Sequence, residues 1–329
     1  MNREEKISQF VIRHSISCLF ELCRVLELPE VIAQEGLAAH ARYPLFVPKS
    51  FAAKIEKGNP RDPLLLQVLP RPEELSKVDG FSDDPLQEQA DEKNCPLLRK
   101  YEGRVLLLTT NQCAVHCRYC FRRNRKESKS QLQVGSLRTR DFPAEVILSG
   151  GDPLTLSDDE LLELLTAIRV QPMVRRIRIH TRFPVVAPNR LTPQLLSMLH
   201  SDRKMVFSMV LHINHPREID DDFADAMTET VNRGIPVFVQ SVLLKEINDD
   251  FPTLFELYEK LISLRMSPYY LHQLDRIVGT AHFEAEPSRG LELMDRLHRA
   301  LPGYAVPRYV REMPGKPGKI AIASEPRPK

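Results

Sequence analysis

The sequence predicts an α/β fold: six parallel strands form an incomplete barrel, with helices outside it and a mainly helical accessory region before it. Six apolar segments rich in strand-forming residues recur from residue 104 onward. After a first gap of 41 residues, their starts are separated by 31, 29, 31 and 31 residues, the length of a strand–helix–strand unit. Patterns typical of helices fill the gaps. The segments are 104–109, 145–150, 176–181, 205–213, 236–244 and 267–275.

The alternation of strands and helices predicts a parallel sheet, because a helix between two strands returns the chain to the edge where the first strand began. Six such strands, rather than eight, favour a partial barrel that is open on one side. Spacing alone does not distinguish this arrangement from a complete eight-stranded barrel or from a doubly wound sheet.

The predicted helices have recognisable ends. The helix over 157–170 begins with Ser157 three residues before Glu160, the pattern of a capping box. The helix over 221–234 ends at Gly234, a residue type suited to the position after a helix. Two further helical patterns cover 251–265 and 288–301. The stretch 124–142, where the first barrel helix belongs, is short, basic and poorly helical.

Three parts are predicted along the chain. Residues 1–95 form an accessory region that is helical and then proline-rich and extended, and residues 96–303 form the barrel. Residues 304–329 form a C-terminal segment whose Pro, Gly and Lys residues are typical of a loop.

Composition and charge exclude several classes of protein. The 46 Lys and Arg residues nearly balance 44 Asp and Glu residues, so neither nucleic acid nor a membrane surface is an expected partner. The first ten residues are charged, and no stretch of about 18 apolar residues occurs, so we expect a soluble cytoplasmic protein. Cys18, Cys23 and Cys95 are scattered, which argues against a disulfide framework.

Polar residues occur at the C-terminal end of every predicted strand, where barrels of this kind bind their ligands. A single histidine in such a place is usually a satisfied polar group, but polar residues at six consecutive strand ends predict an active site. After the cysteines that follow the first segment, they are Gly150, Gly151 and Asp152, then His180, His212 and His215, Gln240, His272 and Asp275.

The three remaining cysteines, Cys113, Cys117 and Cys120, lie within eight positions. A structural zinc site would need a fourth ligand, and His116 is the one candidate close by. Three thiolates in one loop suit a [4Fe–4S] cluster with one iron left open. With Tyr119 before the last cysteine, the loop resembles the C-x3-C-x-aromatic-C signature of radical S-adenosylmethionine (SAM) enzymes.

That resemblance implies a particular chemistry. The open iron binds SAM, and electron transfer from the cluster cleaves SAM to a 5′-deoxyadenosyl radical, which abstracts hydrogen from the substrate. Gly150 and Gly151 match the glycines that such enzymes place close to the amino group of SAM, where a side chain would obstruct the approach.

The stretch from about residue 47 to residue 325 resembles the lysine 2,3-aminomutase family of radical SAM enzymes. It is most similar to the short bacterial branch that makes β-lysine for the modification of elongation factor P. The motifs that carry the resemblance occur in matching order: FVPKSF, KGNPRDPLLLQVLP, GFSDDPLQEQ, CAVHCRYCFRR, SGGDPL, RIHTRFPVV, HINHPREID, QSVLLKEIND, PYYLHQLD, GTAHF and VPRYVREMPGKPGK.

The resemblance implies three cofactors and assigns residues to each. Cys113, Cys117 and Cys120 bind the cluster, and Lys319 binds pyridoxal 5′-phosphate (PLP). The remaining positions that match the family's cofactor sites are Tyr101 and Arg104 for PLP, and Gly150, Gly151, Asp152, His212 and Gln240 for SAM.

The resemblance also implies a substrate and partners. Arg122 matches the residue that holds the α-carboxylate of L-lysine, and Asp275 and Glu312 match the two acids that hold its side-chain ammonium. A flavodoxin or ferredoxin supplies electrons, and a separate ligase attaches β-lysine to elongation factor P. The alternatives are an aminomutase for another amino acid, such as glutamate or arginine, and a zinc-stabilised nucleic-acid-binding protein.

Three features depart from the family pattern. Lys316 lies close enough to Lys319 to compete for PLP, and Glu312 stands where the family has Asp. The chain also lacks the C-terminal cysteines that catabolic relatives use for zinc and for subunit contacts, so their oligomeric state does not carry over.

Overall fold

Two sheets contain the strands of this protein. The computed structural model describes residues 13–88, 96–124, 134, 137, 142–200 and 204–323. Within these residues, a short pair of strands, β1 (Ser15–Ile16) and β2 (Val47–Pro48), lies apart from a nine-stranded sheet. The strands of the large sheet are β3 (Leu97–Tyr101), β4 (Arg104–Thr110), β5 (Glu145–Gly150), β6 (Arg176–Thr181), β7 (Val206–His212), β8 (Val237–Val242), β9 (Ser267–His272), β10 (Arg308–Arg311) and β11 (Ile320–Ala321).

The strand order identifies the architecture. The strands lie side by side in chain order from β3 to β11. In a doubly wound sheet, by contrast, the strand order reverses near the centre of the sheet. Strands β4 to β10 pair in parallel, and β3 and β11 pair antiparallel at the two edges. Among the described residues the two edge strands do not pair with each other, so the barrel is open. The predicted partial barrel is confirmed: its six predicted strands are β4 to β9, and β10 adds a seventh parallel strand.

The N-terminal region is mainly helical, as predicted. Its helices are α1 (Leu19–Val25), α2 (Glu30–Arg42), α3 (Lys49–Ala52) and α4 (Pro63–Leu66). The last two short helices fall in the stretch that was expected to be extended. Helix α4 forms there because Asp62 caps the backbone N–H groups of Leu64 and Leu65, and Pro63 suits the first helical position.

The four helices that the sequence predicts outside the barrel are confirmed. They are α5 (Asp158–Arg169), α8 (Asp221–Asn232), α9 (Phe251–Ser263) and α10 (Pro287–Ala300). Two shorter helices between β6 and β7 were not predicted, α6 (Phe183–Val186) and α7 (Pro193–Met198). The capping box of α5 is present, since the N–H of Ser157 donates to the Glu160 carboxylate over 2.8 Å. Most of the stretch 124–142 lies outside the described residues.

The accessory region and the barrel share one hydrophobic core. Phe51 and Leu65 belong to the same buried cluster as Leu148 of β5 and Phe207 of β7. The N-terminal residues therefore pack directly on the barrel, and the division into three parts stays a prediction. None of the helices in the described part of the chain has the length and apolarity needed to cross a membrane.

The sequence had suggested that the C-terminal segment is a loop, but the structure shows two strands there. Strand β10 pairs in parallel with β9, and β11 returns antiparallel to β10. The prediction was wrong here because these strands are only four and two residues long, so they show no alternating pattern that a sequence can reveal. Their pairing brings Glu312 and Lys319 to the same edge of the barrel as the other strand ends.

The end of β5 is joined to the cysteine loop, residues 111–120, by backbone contacts. The N–H of Gly151 donates to the carbonyl of Thr110 over 2.6 Å, and that of Asp152 donates to the carbonyl of Gln112 over 2.7 Å. A Cβ on Gly151 would lie 2.1 Å from the carbonyl oxygen of Gln112. Gly151 therefore allows the loop to pack on the strand end directly before Cys113.

We expect Gly151→Ala to destabilise the protein by about 1–3 kcal/mol, because the added methyl group meets backbone atoms that cannot turn aside. Thermal melting of the wild type and the variant checks this. Gly303→Ala is the control, because a Cβ there has no neighbour within 4 Å. Equal melting temperatures for Gly151→Ala and Gly303→Ala would contradict the packing argument.

Candidate active site

One cavity, of about 260 Å³, lies at the C-terminal ends of strands β4 to β9. Each residue that the sequence assigned to a cofactor or to the substrate contributes to its lining. They are Cys113, Cys117 and Cys120, then Gly150, Gly151, Asp152, His212 and Gln240, then Tyr101, Arg104 and Lys319, and finally Arg122, Asp275 and Glu312. The fold thus brings together residues that are up to 218 positions apart in the sequence, from Tyr101 to Lys319.

The cysteine loop presents three free, half-buried thiols to this cavity, those of Cys113, Cys117 and Cys120. Within the described residues, no group of three His, Cys, Asp or Glu side chains is arranged to hold a single metal ion. A [4Fe–4S] cluster makes a different demand, because each thiolate binds a different iron atom. Three thiols lining one cavity therefore match a cluster.

Buried ion pairs fix the cysteine loop to the accessory region. Arg118 is fully buried, and its Nε donates to the carboxylate of Glu74 over 2.8 Å. Arg123 donates to the same carboxylate from beyond the last cysteine. Arg118 also donates to the carbonyl oxygen of Tyr43 over 2.6 Å. The backbone on both sides of Tyr119 and Cys120 is held by these contacts.

The histidines of the cavity are neutral. Burial, together with the nearby Arg182, lowers the pKa of His212 to about 3. Burial also holds the pKa values of His180 and His272 well below their ordinary range, with Arg178 and Lys319, respectively, as the largest charged contributors. The hydroxyl of Tyr119 and Nε2 of His212 share a hydrogen bond of 2.9 Å. A neutral imidazole has one hydrogen-bond donor and one acceptor, and since Nε2 of His212 is bonded to Tyr119, Nδ1 remains for a ligand.

Charges alternate along one wall of the cavity. Nε and Nη2 of Arg122 donate to the carboxylate of Glu88 over 2.9 and 3.0 Å. Nζ of Lys100 lies 2.9 Å from Glu88 and 3.3 Å from Glu312. Glu312 in turn accepts from Nζ of Lys319 over 2.7 Å. Ion pairs through Glu88, Lys100 and Glu312 therefore connect Arg122 to Lys319.

The two acids differ in their proton affinity. Burial would raise the pKa of Glu312, but Lys319 and Lys100 oppose this and bring it down to about 2. Burial and the neighbouring Glu312 raise the pKa of Asp275 to about 7. Within the described residues the Asp275 carboxylate has no hydrogen-bond partner. Glu312 is therefore ionised and paired, and Asp275 is the acid without a partner.

Asp152 lines the cavity, but its carboxylate is fully used by the fold. One oxygen accepts from the hydroxyl of Thr181 and the N–H of Leu154, and the other accepts from the N–H groups of Arg182 and Phe183. Asp152 thus ties the end of β5 to the end of β6.

Three buried polar atoms of the lining lack hydrogen-bond partners among the described residues, and one of them is Nε of Arg182. Nε of Arg104 and Nε2 of His180 are buried without a hydrogen bond. The guanidinium of Arg104 lies 4.2 Å from the centre of the Tyr101 ring, and no carboxylate in the described chain neutralises it. Buried polar groups are normally satisfied, so an unpaired guanidinium in a cavity suits an anionic ligand such as a phosphate.

Comparison with known proteins identifies the family. The chain is 40% identical to L-lysine 2,3-aminomutase of Haemophilus influenzae over 328 residues, which covers 98% of this chain and 97% of the relative. It is 41% identical to L-lysine 2,3-aminomutase of Escherichia coli, over 92% of this chain and 90% of the relative. The chain belongs to the lysine 2,3-aminomutase family. No family model matches the chain.

Two further comparisons give context. L-lysine 2,3-aminomutase of Clostridium subterminale is 33% identical over 94% of this chain and 76% of the relative. Among solved structures, a radical SAM methyltransferase from Sphaerobacter thermophilus is 17% identical, with a TM-score of 0.49 over 65% of this chain and 68% of that chain. Since this TM-score is below 0.5, the description of the fold rests on the strand order.

The enzymes of the lysine 2,3-aminomutase family are isomerases that use a [4Fe–4S] cluster, SAM and PLP. The cavity has groups that fit all three: three thiols, a strand end with two glycines and a neutral histidine, and an amine and an unpaired guanidinium in the same lining. Lys319 lies in the lining, whereas Lys316 is exposed.

From the sequence, no role was assigned to four charged residues of the cavity. They are Glu88, Lys100, Arg178 and Arg182. Glu88 and Arg182 lie within the motifs GFSDDPLQEQ and RIHTRFPVV, which carried the family resemblance, and Lys100 directly precedes Tyr101. Their position inside or next to segments already assigned to the site was the sequence feature that could have indicated a role.

We expect Cys113→Ala, Cys117→Ala and Cys120→Ala each to lose most of the iron that the wild type binds after anaerobic reconstitution, because each removes one of three cluster ligands. Iron and acid-labile sulfide analysis checks this. Cys18→Ala is the matched control, because Cys18 is exposed and lies outside the lining of the cavity. Full iron binding by the Cys117→Ala variant would exclude that thiol as a ligand.

Proposed function

We propose that the protein is a radical SAM, PLP-dependent L-lysine 2,3-aminomutase that converts L-α-lysine to β-lysine. The observation that carries the proposal is that one cavity is lined by three thiols, the amine of Lys319, the guanidinium of Arg122 and the two acids Asp275 and Glu312. The relatives named L-lysine 2,3-aminomutase, which match nearly the whole chain, support it.

Cys113, Cys117 and Cys120 hold the cluster in this proposal, and Gly150, Gly151, His212 and Gln240 surround SAM. When bound, the cluster and SAM supply the radical that abstracts hydrogen from the substrate. Asp152 contributes by holding the ends of β5 and β6 together beside SAM, because its carboxylate is already satisfied by four donors. His212, with a pKa of about 3, stays neutral, and its Nδ1 is the ring nitrogen left for a hydrogen bond with SAM, because Nε2 bonds to Tyr119.

Lys319 holds PLP covalently, with Arg104 facing its phosphate and Tyr101 beside it. PLP supplies a group that binds the α-amine of the substrate while the nitrogen moves from C2 to C3. The unpaired guanidinium of Arg104 supports a phosphate in this place. The hydroxyl of Tyr101 donates to Glu312 over 2.9 Å, which fixes the carboxylate next to Lys319.

Arg122 binds the α-carboxylate of lysine. Glu88 occupies the edge of its guanidinium formed by Nε and Nη2, and Nη1 lies 3.4 Å from the Ser149 hydroxyl. One edge of the planar guanidinium is thereby fixed, which leaves further N–H donors of Nη1 and Nη2 for a substrate carboxylate.

Asp275 and Glu312 bind the side-chain ammonium of lysine. In the structure Glu312 accepts from Nζ of Lys319 over 2.7 Å, and the substrate ammonium would take the place of that amine. Two acids favour a cationic side chain and disfavour glutamate as the substrate. Anaerobic assays with L-lysine, L-arginine and L-glutamate, each followed by mass spectrometry of the β-amino acid product, separate these alternative substrates.

We further propose that β-lysine is used for the post-translational β-lysylation of elongation factor P by a separate ligase. The resemblance to the short bacterial branch supports this, as do the lengths: the chain spans 97% of the Haemophilus influenzae relative but 69% of the Bacillus subtilis one. A flavodoxin or ferredoxin serves as the electron donor, and a reducing cytoplasm suits a cluster held by thiolates. Intact-mass analysis of elongation factor P from cells with and without this gene tests the assignment.

We expect the wild type, with reconstituted cluster, PLP, SAM, reductant and L-lysine, to form β-lysine under anaerobic conditions, detected by mass spectrometry after derivatisation. Lys319→Ala abolishes the product because it removes the amine that holds PLP. Lys316→Ala is the matched control and keeps activity within about twofold of the wild type, since an exposed surface change has little effect. Cleavage of SAM without any β-lysine from the wild type would reject lysine as the substrate.

We expect kcat/KM for lysine to rise about tenfold between pH 6 and pH 8, because Asp275 must lose its proton to bind an ammonium and its pKa is about 7. The sign follows from the raised pKa: the neutral, non-binding form predominates below pH 7 and the ionised form above it. Asp275→Asn removes this rise and lowers kcat/KM at pH 8. The exposed Asp222→Asn keeps the wild-type profile; a rise retained by Asp275→Asn would assign it to another group.

A further inference from the structure

Arg182, which directly follows β6, is held rigidly from behind. Its Nη2 donates to Oε1 of Gln67 over 2.7 Å and to Oε2 of Glu218 over 2.9 Å, and both partners are fully buried. Glu218 is itself fixed by the backbone N–H groups of Asn214 and His215 over 2.9 and 3.0 Å. The guanidinium therefore has one position and one direction in which it can point.

The free side of this guanidinium faces the cysteine loop. Nη1 of Arg182 donates to Sγ of Cys117 over 2.7 Å and to the hydroxyl of Tyr119 over 2.5 Å. Among the described residues, neither Cys113 nor Cys120 receives a side-chain hydrogen bond of this kind. The contact therefore singles out one of the three proposed cluster ligands.

We propose that Arg182 is a positioning residue for the iron–sulfur cluster, whose guanidinium donates a hydrogen bond to the sulfur of Cys117 and so makes the cluster easier to reduce. This rests on the assignment of Cys117 as a cluster ligand in the proposed function. It thereby gives Arg182, which the proposed function left without a role, a part in the first electron transfer.

The physical reason is electrostatic. One-electron reduction of the cluster by an external low-potential protein donor adds negative charge to the irons and their sulfur ligands. A cationic N–H donor on a ligand sulfur stabilises that added charge, and hydrogen bonds to the sulfurs and net charge are among the factors that set cluster potentials. Burial strengthens the effect, because few water molecules screen it.

Glu218 does not cancel this effect. Its carboxylate lies on the far side of the guanidinium from the sulfur, so the pair is a dipole whose positive end faces Cys117. Two buried partners keep that dipole oriented before and after reduction. The protein therefore does not need to reorganise when the electron arrives.

The test is the midpoint potential of the reconstituted cluster, followed by electron paramagnetic resonance during a redox titration without SAM, PLP or lysine. The variant is Arg182→Gln combined with Glu218→Gln, which removes the donor cation without leaving a buried carboxylate unpaired. Glu218→Gln alone is measured beside it. We expect equal iron content in all proteins, and a more negative potential in the double variant than in the wild type or in Glu218→Gln.

The matched control is Arg178→Gln combined with Glu145→Gln. Arg178 lies on β6 and forms a half-buried ion pair with Glu145, with Nη2 and Oε1 separated by 2.6 Å, but within the described residues it has no hydrogen bond to a thiol. We expect its potential to match that of the wild type. A potential that is unchanged in the Arg182 double variant, or lowered equally in the Arg178 control, overturns the proposal.

Arg182→Lys provides a second variant that keeps the buried charge. It should retain iron and show a smaller shift than the double variant. Loss of iron from both Arg182 variants would overturn the proposal, because a residue that tunes the potential is not needed for assembly. Because the titration contains no lysine, it remains informative if the wild type forms no β-lysine; a wild type that binds no iron would instead reject the proposed function.

Discussion

The carboxylate of Glu74 is the contact on which the active site of this protein depends. It is buried, and it pairs with two arginines of the chain around the cysteines, Arg118 before Tyr119 and Arg123 after Cys120. Removing one partner of a buried ion pair typically destabilises a protein by about 3–5 kcal/mol, because the other charge stays buried without compensation. The loop thus has one arrangement against the accessory region, and the directions of its three thiols follow from it.

Rigid support continues around the barrel rim. Gly151 lets the loop pack on the end of β5, and Asp152 ties that end to β6, from which Arg182 reaches back to Cys117. Each of these contacts uses backbone N–H groups or buried charges. The rim is therefore held by polar contacts that depend on direction, while the barrel beneath it is held by apolar packing.

Much of the fold could be predicted from the sequence because it repeats. The interval of about 31 residues revealed the parallel strands, and Ser157 with Glu160 marked the start of a helix correctly. The strand-end residues could be predicted to meet, since parallel strands end at one edge. Their roles depended on the family resemblance, without which Lys319 is an ordinary lysine in a region rich in proline and glycine.

What could not be predicted depends on distant contacts. An arginine after a strand is normally solvent-exposed, and Arg182 is buried only because Gln67, 115 residues away, and Glu218 receive it. The positions of Glu88 and Lys100 could not be predicted either, because they depend on ion pairs with Arg122 and Glu312, which are distant in the sequence. Strands β10 and β11 are too short to have a pattern; β10 forms on the edge that β9 offers, and β11 forms on the edge of β10.

The short pairing of β11 has a consequence for how the protein moves. Only two residues of this strand pair with β10, and the turn between them includes Gly315 in the left-handed region, with a φ of 70°. Segments with so few backbone pairs open at a much lower free energy than the sheet that carries them. Lys319 therefore belongs to a hairpin that can detach and close again while the barrel stays folded. A bulky molecule can enter beside this lysine on the timescale of a local fluctuation, without waiting for global unfolding.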